Sequence, residues 1–314
     1  MKLVFFGTAE FARESLDALL RARFEPALVV TPPPRRRRRG AAPEPTPVEF
    51  RAADAGIEIF RVEEVNHPES LARLRAVSAQ LFVVAEFGQI LSEALLAIPR
   101  AGAINVHASL LPRHRGATPV SAAILAGDRE TGVTIQRVVK RLDAGPMLSQ
   151  RAVTIGGEED AGELFARLAR LGGELLVEVV GAFAAGRPPV DVAQEEAQAT
   201  VCRRFQPTDS VLDWSMSAPA LALRARALSP KPGMHTHLLR DPPLALGVRG
   251  CRAVGGAGPP GEVVAVTQEY LDVGTGEGLL RLLEVLPAGR RLMSAGEFVN
   301  GWQVKRGERF GAAG

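Results

Sequence analysis

Apolar residues fall in short blocks along the first half of the chain, each closed by glycine, proline or charge. Lys2 to Phe6 is an apolar run closed by Gly7, the pattern of a parallel strand buried on both faces. From Ala9 to Arg23 the spacing turns helical, with Phe11, Leu16, Leu19 and Leu20 near one face. Glu25 to Thr31 predicts a strand, Val48 to Ala55 a helix, Ile57 to Phe60 a strand and Pro68 to Val77 an amphipathic helix. Gln80 to Ala85 is the most strand-like run in the chain. Gly102 to Ala108 and Gly132 to Val139 are further strands, with a helix over Pro119 to Ala126 between them. Strands alternating with helices argue for an open, mostly parallel α/β sheet. Asp160 to Ala185 reads as a long amphipathic helix ending near Gly186.

The pattern then changes. Arg187 to Pro207 is rich in proline, charge and glutamine, which suits a linker. Ala218 to Ala227 is helical. Leu244 to Val254, Gly261 to Val273 and Gly278 to Val285 read as strands with glycine punctuation, the signature of a small β-barrel. With 314 residues, and ~100–200 per domain, two domains are expected. The boundaries that follow are 1–186, a linker over 187–206, and 207–314. Phe5, Phe6, Phe11, Phe24 and Phe50 are expected in the core.

Composition narrows the class. An apolar fraction of 46% with 23% charge excludes wholesale disorder. Two cysteines, Cys202 and Cys251, exclude a disulfide scaffold or cysteine-based zinc site and suit a reducing cytosol. The Met1 to Phe6 run is too short for a signal peptide, and no apolar stretch approaches the ~20 residues of a membrane span. A soluble, cytoplasmic protein is expected. His235 and His237 lack further ligands at sensible spacing, so no metal is expected.

Net charge is +3, and neither part is a polycation: residues 207–314 carry 12 basic and 10 acidic side chains. The exception is local. Arg35 to Arg39 are five consecutive arginines between proline clusters, which must be solvated or paired with an anion. A charged surface loop, a localisation-type patch and a phosphate-binding arm all fit that composition.

Candidate chemistry concentrates in Gly102 to Gly116. On a strand, Asn105 and His107 share one face while Ile104 and Val106 share the other. A central parallel strand should be apolar on both faces, so an amide and an imidazole near its C-terminal end are out of pattern. That end is where open α/β sheets bind ligands. A structural histidine bonded to a backbone carbonyl and a catalytic pair are both open readings. Asp143, in Arg141-Leu-Asp-Ala-Gly145, is the best carboxylate partner for His107, or a turn aspartate capping its own backbone. Gly7-Thr-Ala-Glu-Phe11 lacks a dinucleotide fingerprint.

Taken together, Asn105-x-His107-x-Ser109-Leu-Leu-Pro112-x-x-Arg115-Gly116 followed by Leu142-Asp143-x-Gly145 resembles the folate-dependent formyltransferases. The whole chain is similar to members that formylate the methionine amine of initiator methionyl-tRNA, with Asp213-Trp214, Pro232-Gly233 and Met293-Ser-Ala295 as later support. The resemblance implies a Rossmann-like N-terminal domain and a C-terminal OB-like barrel that holds tRNA. It carries catalysis onto Asn105, His107 and Asp143, and folate binding onto Ser109, Leu110, Leu111 and Pro112. It implies tRNA contacts at Arg35, Arg39 and Gly40, 10-formyltetrahydrofolate as consumed co-substrate, no metal, and no obligate protein partner. The chain departs from the family at Glu86-Phe87, where alanine–tyrosine is usual, and at Val201-Cys202, where tyrosine–alanine is usual.

Overall fold

A computed structural model describes residues 1–34 and 42–312. The chain divides into two compact units. One comprises Met1–Pro119, Glu130–Thr154 and Phe165–Cys202; the other comprises Val120–Arg129, Ile155–Leu164 and Arg203–Gly314. Among the described residues no helix is long and apolar enough to cross a membrane.

The chain runs β1 (Leu3–Gly7), α1 (Glu10–Arg21), β2 (Leu28–Thr31), α2 (Pro47–Asp54), β3 (Ile59–Arg61), α3 (Pro68–Val77), β4 (Leu81–Ala85), α4 (Glu93–Leu96) and β5 (Ala103–His107). Next come β6 (Arg115–Gly116), α5 (Pro119–Leu125), β7 (Glu130–Arg137), β8 (Met147–Thr154), α6 (Ala161–Ala184) and β9 (Val201–Cys202). Seven strands form the main sheet in the order β3-β2-β1-β4-β5-β7-β8. The first five are parallel. β7 and β8 each run antiparallel to the preceding strand. This is the expected Rossmann-like, mostly parallel sheet. Strand order reverses beside β1, so the carboxyl ends of β1, β4 and β5 border the crevice where such sheets take ligands.

β1 and β4 are buried along their whole length, which is why they read as continuous apolar runs. β8 escaped the sequence reading because only alternate residues of Met147–Thr154 turn inward, leaving no apolar block. Phe5, Phe6 and Phe11 are core, but Phe50 is 69% exposed, against expectation. α2 buries Val48 and Ala52, and Phe50 lies two residues from Val48, hence on the opposite side of the helix. Phe24 is half-buried.

α6 approaches closely because Gly172 and Gly173 carry no side chain. A Cβ at Gly173 would lie 2.8 Å from Ala18 Cβ of α1, and one at Gly172 would lie 3.0 Å from Val106 of β5.

The second unit adds α7 (Ala218–Leu228), β10 (Met234–Leu238), β11 (Leu244–Val254), β12 (Val263–Val266), β13 (Leu271–Gly274), β14 (Leu279–Pro287), β15 (Met293–Ser294), α8 (Ala295–Trp302) and β16 (Phe310–Gly311). Its sheet is ordered β12-β13-β14-β11-β10-β16, antiparallel throughout, with β15 beside β14. A bridge between Glu262 and Arg309 joins its two ends, so the sheet closes as a small barrel. The single strand expected over Gly261 to Val273 is two, β12 and β13, turned by Thr267, whose hydroxyl accepts from Tyr270 N–H at 2.9 Å. His235 and His237 of β10 point away from the core because Met234, Thr236 and Leu238 alternate inward.

Candidate active site

β5 delivers Asn105 and His107 to one face at the carboxyl end of the sheet. Asn105 is half-buried and His107 is buried. Across the ladder, Asn105 faces Gln136 and His107 faces Thr134. The neighbouring strand thus presents its own two polar residues, both buried, opposite the pair.

His107 Nε2 lies 3.0 Å from the carbonyl oxygen of His114. A carbonyl only accepts, so Nε2 carries a proton and Nδ1 is the nitrogen left for chemistry. Nδ1 lies 3.7 Å from Asp143 Oδ1. That gap is longer than a hydrogen bond, as catalytic contacts often are before substrate binds.

Asp143 sits in a left-handed turn with φ of 49°. Its carboxylate is held twice: Gln136 Nε2 donates to Oδ1 and the Gly116 N–H donates to Oδ2, each at 2.9 Å. The turn passes close against β7. A Cβ at Gly145 would run into the Arg137 carbonyl, so glycine is required two residues after the aspartate.

Ser109 to Pro112 leave β5 directly after His107. Their polar groups turn inward on Thr134: its hydroxyl donates to the Ser109 carbonyl at 2.7 Å and accepts from the Leu111 N–H at 3.1 Å. Ser109 Oγ donates to the Arg113 carbonyl at 2.7 Å, and Gln150 Nε2 donates to the Leu111 carbonyl at 2.8 Å. The segment is a braced turn with Leu110 half-buried at its start.

Beside the crevice, Glu86 follows β4 with φ of 41°, and its Oε2 accepts from the Phe11 N–H of α1 at 3.2 Å. Loss of water around the carboxyl pushes it up to about 7, offset in part by the Phe11 and Ala12 N–H groups. An open cleft of about 500 Å³ lies elsewhere in this unit, between Glu10, Arg13, Pro45 and Phe50, and shares no residue with the site. Arg13 there is already paired with Glu10, Glu14 and Asp17. Among the described residues no three His, Cys, Asp or Glu side chains cluster as metal ligands do. Arg35, Arg39 and Gly40, expected to touch tRNA, lie outside the described residues.

His107 and Asp143 are therefore brought together, with Asn105 on the same face of the same strand. Sequence reasoning missed Gln136 and Thr134, although their period-two spacing on a predicted strand was the available signal.

The family model described as formyl transferase matches residues 1–180, and that described as formyl transferase, C-terminal domain, matches 204–303. A methionyl-tRNA formyltransferase of Methylococcus capsulatus is 42% identical over 313 residues, covering 99% of this chain and all of the relative. One from Syntrophomonas wolfei is 36% identical over 312 residues, covering 99% of each. The chain belongs to the methionyl-tRNA formyltransferase family.

Among solved structures, an N-formyltransferase from Helicobacter canadensis, in complex with folinic acid and dTDP-3-aminofucose, superposes with a TM-score of 0.64. It is 15% identical and is covered over 98% of its length, with 90% of this chain. A sugar 3N-formyl transferase, WlaRD, gives 0.65 at 15% identity, over 93% of this chain and 99% of that one. At that distance the likeness is one of fold. Membership of the methionyl-tRNA formyltransferase family rests on the full-length relatives and the two matched models.

Proposed function

We propose that this enzyme transfers the formyl group of 10-formyltetrahydrofolate to the methionine amine of initiator methionyl-tRNA. The observation that carries the reading is end-to-end similarity, at about 40% identity, to relatives of that name, across both matched family regions. The product is N-formylmethionyl-tRNA, for translation initiation, which implies a cytoplasmic location.

The chemistry follows from the reacting groups. The neutral amine attacks the formyl carbon, forming a C–N bond and a tetrahedral carbon whose oxygen gains negative charge. Asn105, with an amide donor on the crevice face, hydrogen-bonds that oxygen. His107, when protonated on Nδ1, supplies a second donor, since Nε2–H is committed to His114. Asp143 takes up the proton that leaves the amine, so the His107 Nδ1–H stays available to the formyl oxygen. The bond from the formyl carbon to N10 then breaks and N10 is protonated, releasing tetrahydrofolate. The 3.7 Å approach of Asp143 to Nδ1 supports this division of labour.

Ser109 to Pro112 form the wall beside His107 and bind the formyl-bearing end of the folate. Residues 1–186 serve as the catalytic domain, 187–206 as the linker and 207–314 as the tRNA-holding barrel. The arginine run, through Arg35, Arg39 and Gly40, contacts acceptor-stem phosphates.

The test is transfer of labelled formyl to charged initiator tRNA in parallel with an amino-sugar nucleotide. Incorporation into the tRNA, with none into the sugar, is expected. The reverse would assign a small-molecule acceptor.

A further inference from the structure

The segment between the two matched family regions does more than connect them. Gln194 uses its whole amide in the first unit. Nε2 donates to the Asp143 carbonyl at 2.9 Å and to the Gly145 carbonyl at 2.7 Å, and reaches Gln136 Oε1 at 3.3 Å. Oε1 accepts from Arg115 Nε at 3.0 Å and Nη2 at 2.8 Å. Arg115 is itself only 2% exposed and is paired on its other edge with Glu196 at 2.8 Å.

These bonds close a ring around Asp143. Gln194 holds the backbone of the Asp143 turn and grips the Arg115 side chain. The residue after Arg115 is Gly116, whose N–H holds the Asp143 carboxylate. The ring also sets the orientation of Gln136. With Gln136 Oε1 facing the Gln194 donor, its Nε2 must face Asp143 Oδ1. A flipped Gln136 would set oxygen against oxygen at Asp143 and donor against donor at Gln194. Backbone pairing clamps the same segment: Arg115 N–H donates to the Thr200 carbonyl at 2.9 Å, and His114 N–H donates to Thr200 Oγ1 at 2.8 Å. The His114 carbonyl is the group that fixes His107 Nε2.

We propose that Gln194 is a positioning residue for formyl transfer, acting through Asp143 and the orientation of Gln136. The inference rests on the reading of Asp143 as the group that handles the amine proton. Gln194 lies behind the turn, on its backbone side, and touches no reacting atom. Its removal frees the turn backbone and the Gln136 amide and widens the spread of the Asp143–His107 distance.

The test uses the full chain with 10-formyltetrahydrofolate and charged initiator tRNA. The variants are Gln194→Met, Asp143→Asn and the two combined, each with folate-analogue binding and thermal unfolding measured. Gln194→Met should lower kcat about tenfold while leaving folate-analogue affinity unchanged. In the Asp143→Asn background the same substitution should have less than about a twofold effect, because the group it positions is gone. An equal fall in both backgrounds, or a parental kcat in Gln194→Met, overturns the proposal. Parental kcat in Asp143→Asn alone overturns the reading of Asp143 and this proposal with it, and is recognisable without any change at Gln194. Should Gln194→Met fail to fold, Gln194→Glu keeps the acceptor for Arg115 and removes the donor to the turn, and the same coupling is read from it.

Discussion

At the scale of single residues, two groups beside the crevice make sharp predictions. Loss of water around the Glu86 carboxyl pushes it up from the ordinary 4.5 to about 7. Between those values the unfolded chain gives up its proton while the folded chain keeps it. Stability is therefore lost as pH rises through that window, and the loss is complete above about 7. Glu86→Gln removes the titration, so its melting temperature relative to the parent should climb from pH 5 to pH 8. A pH-independent difference would contradict the burial argument. Gly145 is the second group. Gly145→Ala pushes the Asp143 turn off the Arg137 carbonyl, and a displacement near 1 Å should lower kcat on the order of 10²-fold. Initial rates check this, and a parental rate would show that the turn tolerates the shift.

The element scale explains what the sequence made legible. β5 was readable because alternation alone sets Asn105 beside His107, and an apolar strand makes the pair conspicuous. Gln136 and Thr134 obey the same alternation on β7, yet two polar residues on a strand look ordinary until the register sets them opposite Asn105 and His107. Gln194 was unreadable. It lies 51 residues from Asp143, in a stretch whose composition suits a linker, and its role depends on a fold-level contact. Phe50 failed for a simpler reason: apolar character alone does not say which side of α2 faces the sheet. Helix packing adds a prediction. Gly173→Val places a branched side chain where even a Cβ lies 2.8 Å from Ala18 Cβ. It should destabilise the fold by about 1–3 kcal/mol, measured as a lower denaturant midpoint; an unchanged midpoint would mean that α1 and α6 separate freely.

At the scale of the whole molecule, the proposed site on the sheet accounts for formyl transfer, and we infer that the acceptor is chosen by what surrounds it. The barrel carries only a small basic excess, and we propose that the arginine run supplies the concentrated charge for a polyanionic acceptor. Replacing Arg35 to Arg39 with alanine should weaken tRNA binding and flatten its salt dependence by roughly 0.9 in log–log slope per lost phosphate contact. Folate binding should be unaffected. An unchanged slope would make the run solvated surface. We propose that Asn105, His107 and Asp143 act together on a methionine amine carried by tRNA. The most direct measurement is single-turnover transfer of labelled formyl to charged initiator tRNA by the parent and by Asn105→Ala, His107→Ala and Asp143→Ala. Each variant should still fold and bind a folate analogue but transfer on the order of 10²–10⁴-fold more slowly. Near-parental transfer in all three would contradict the proposal.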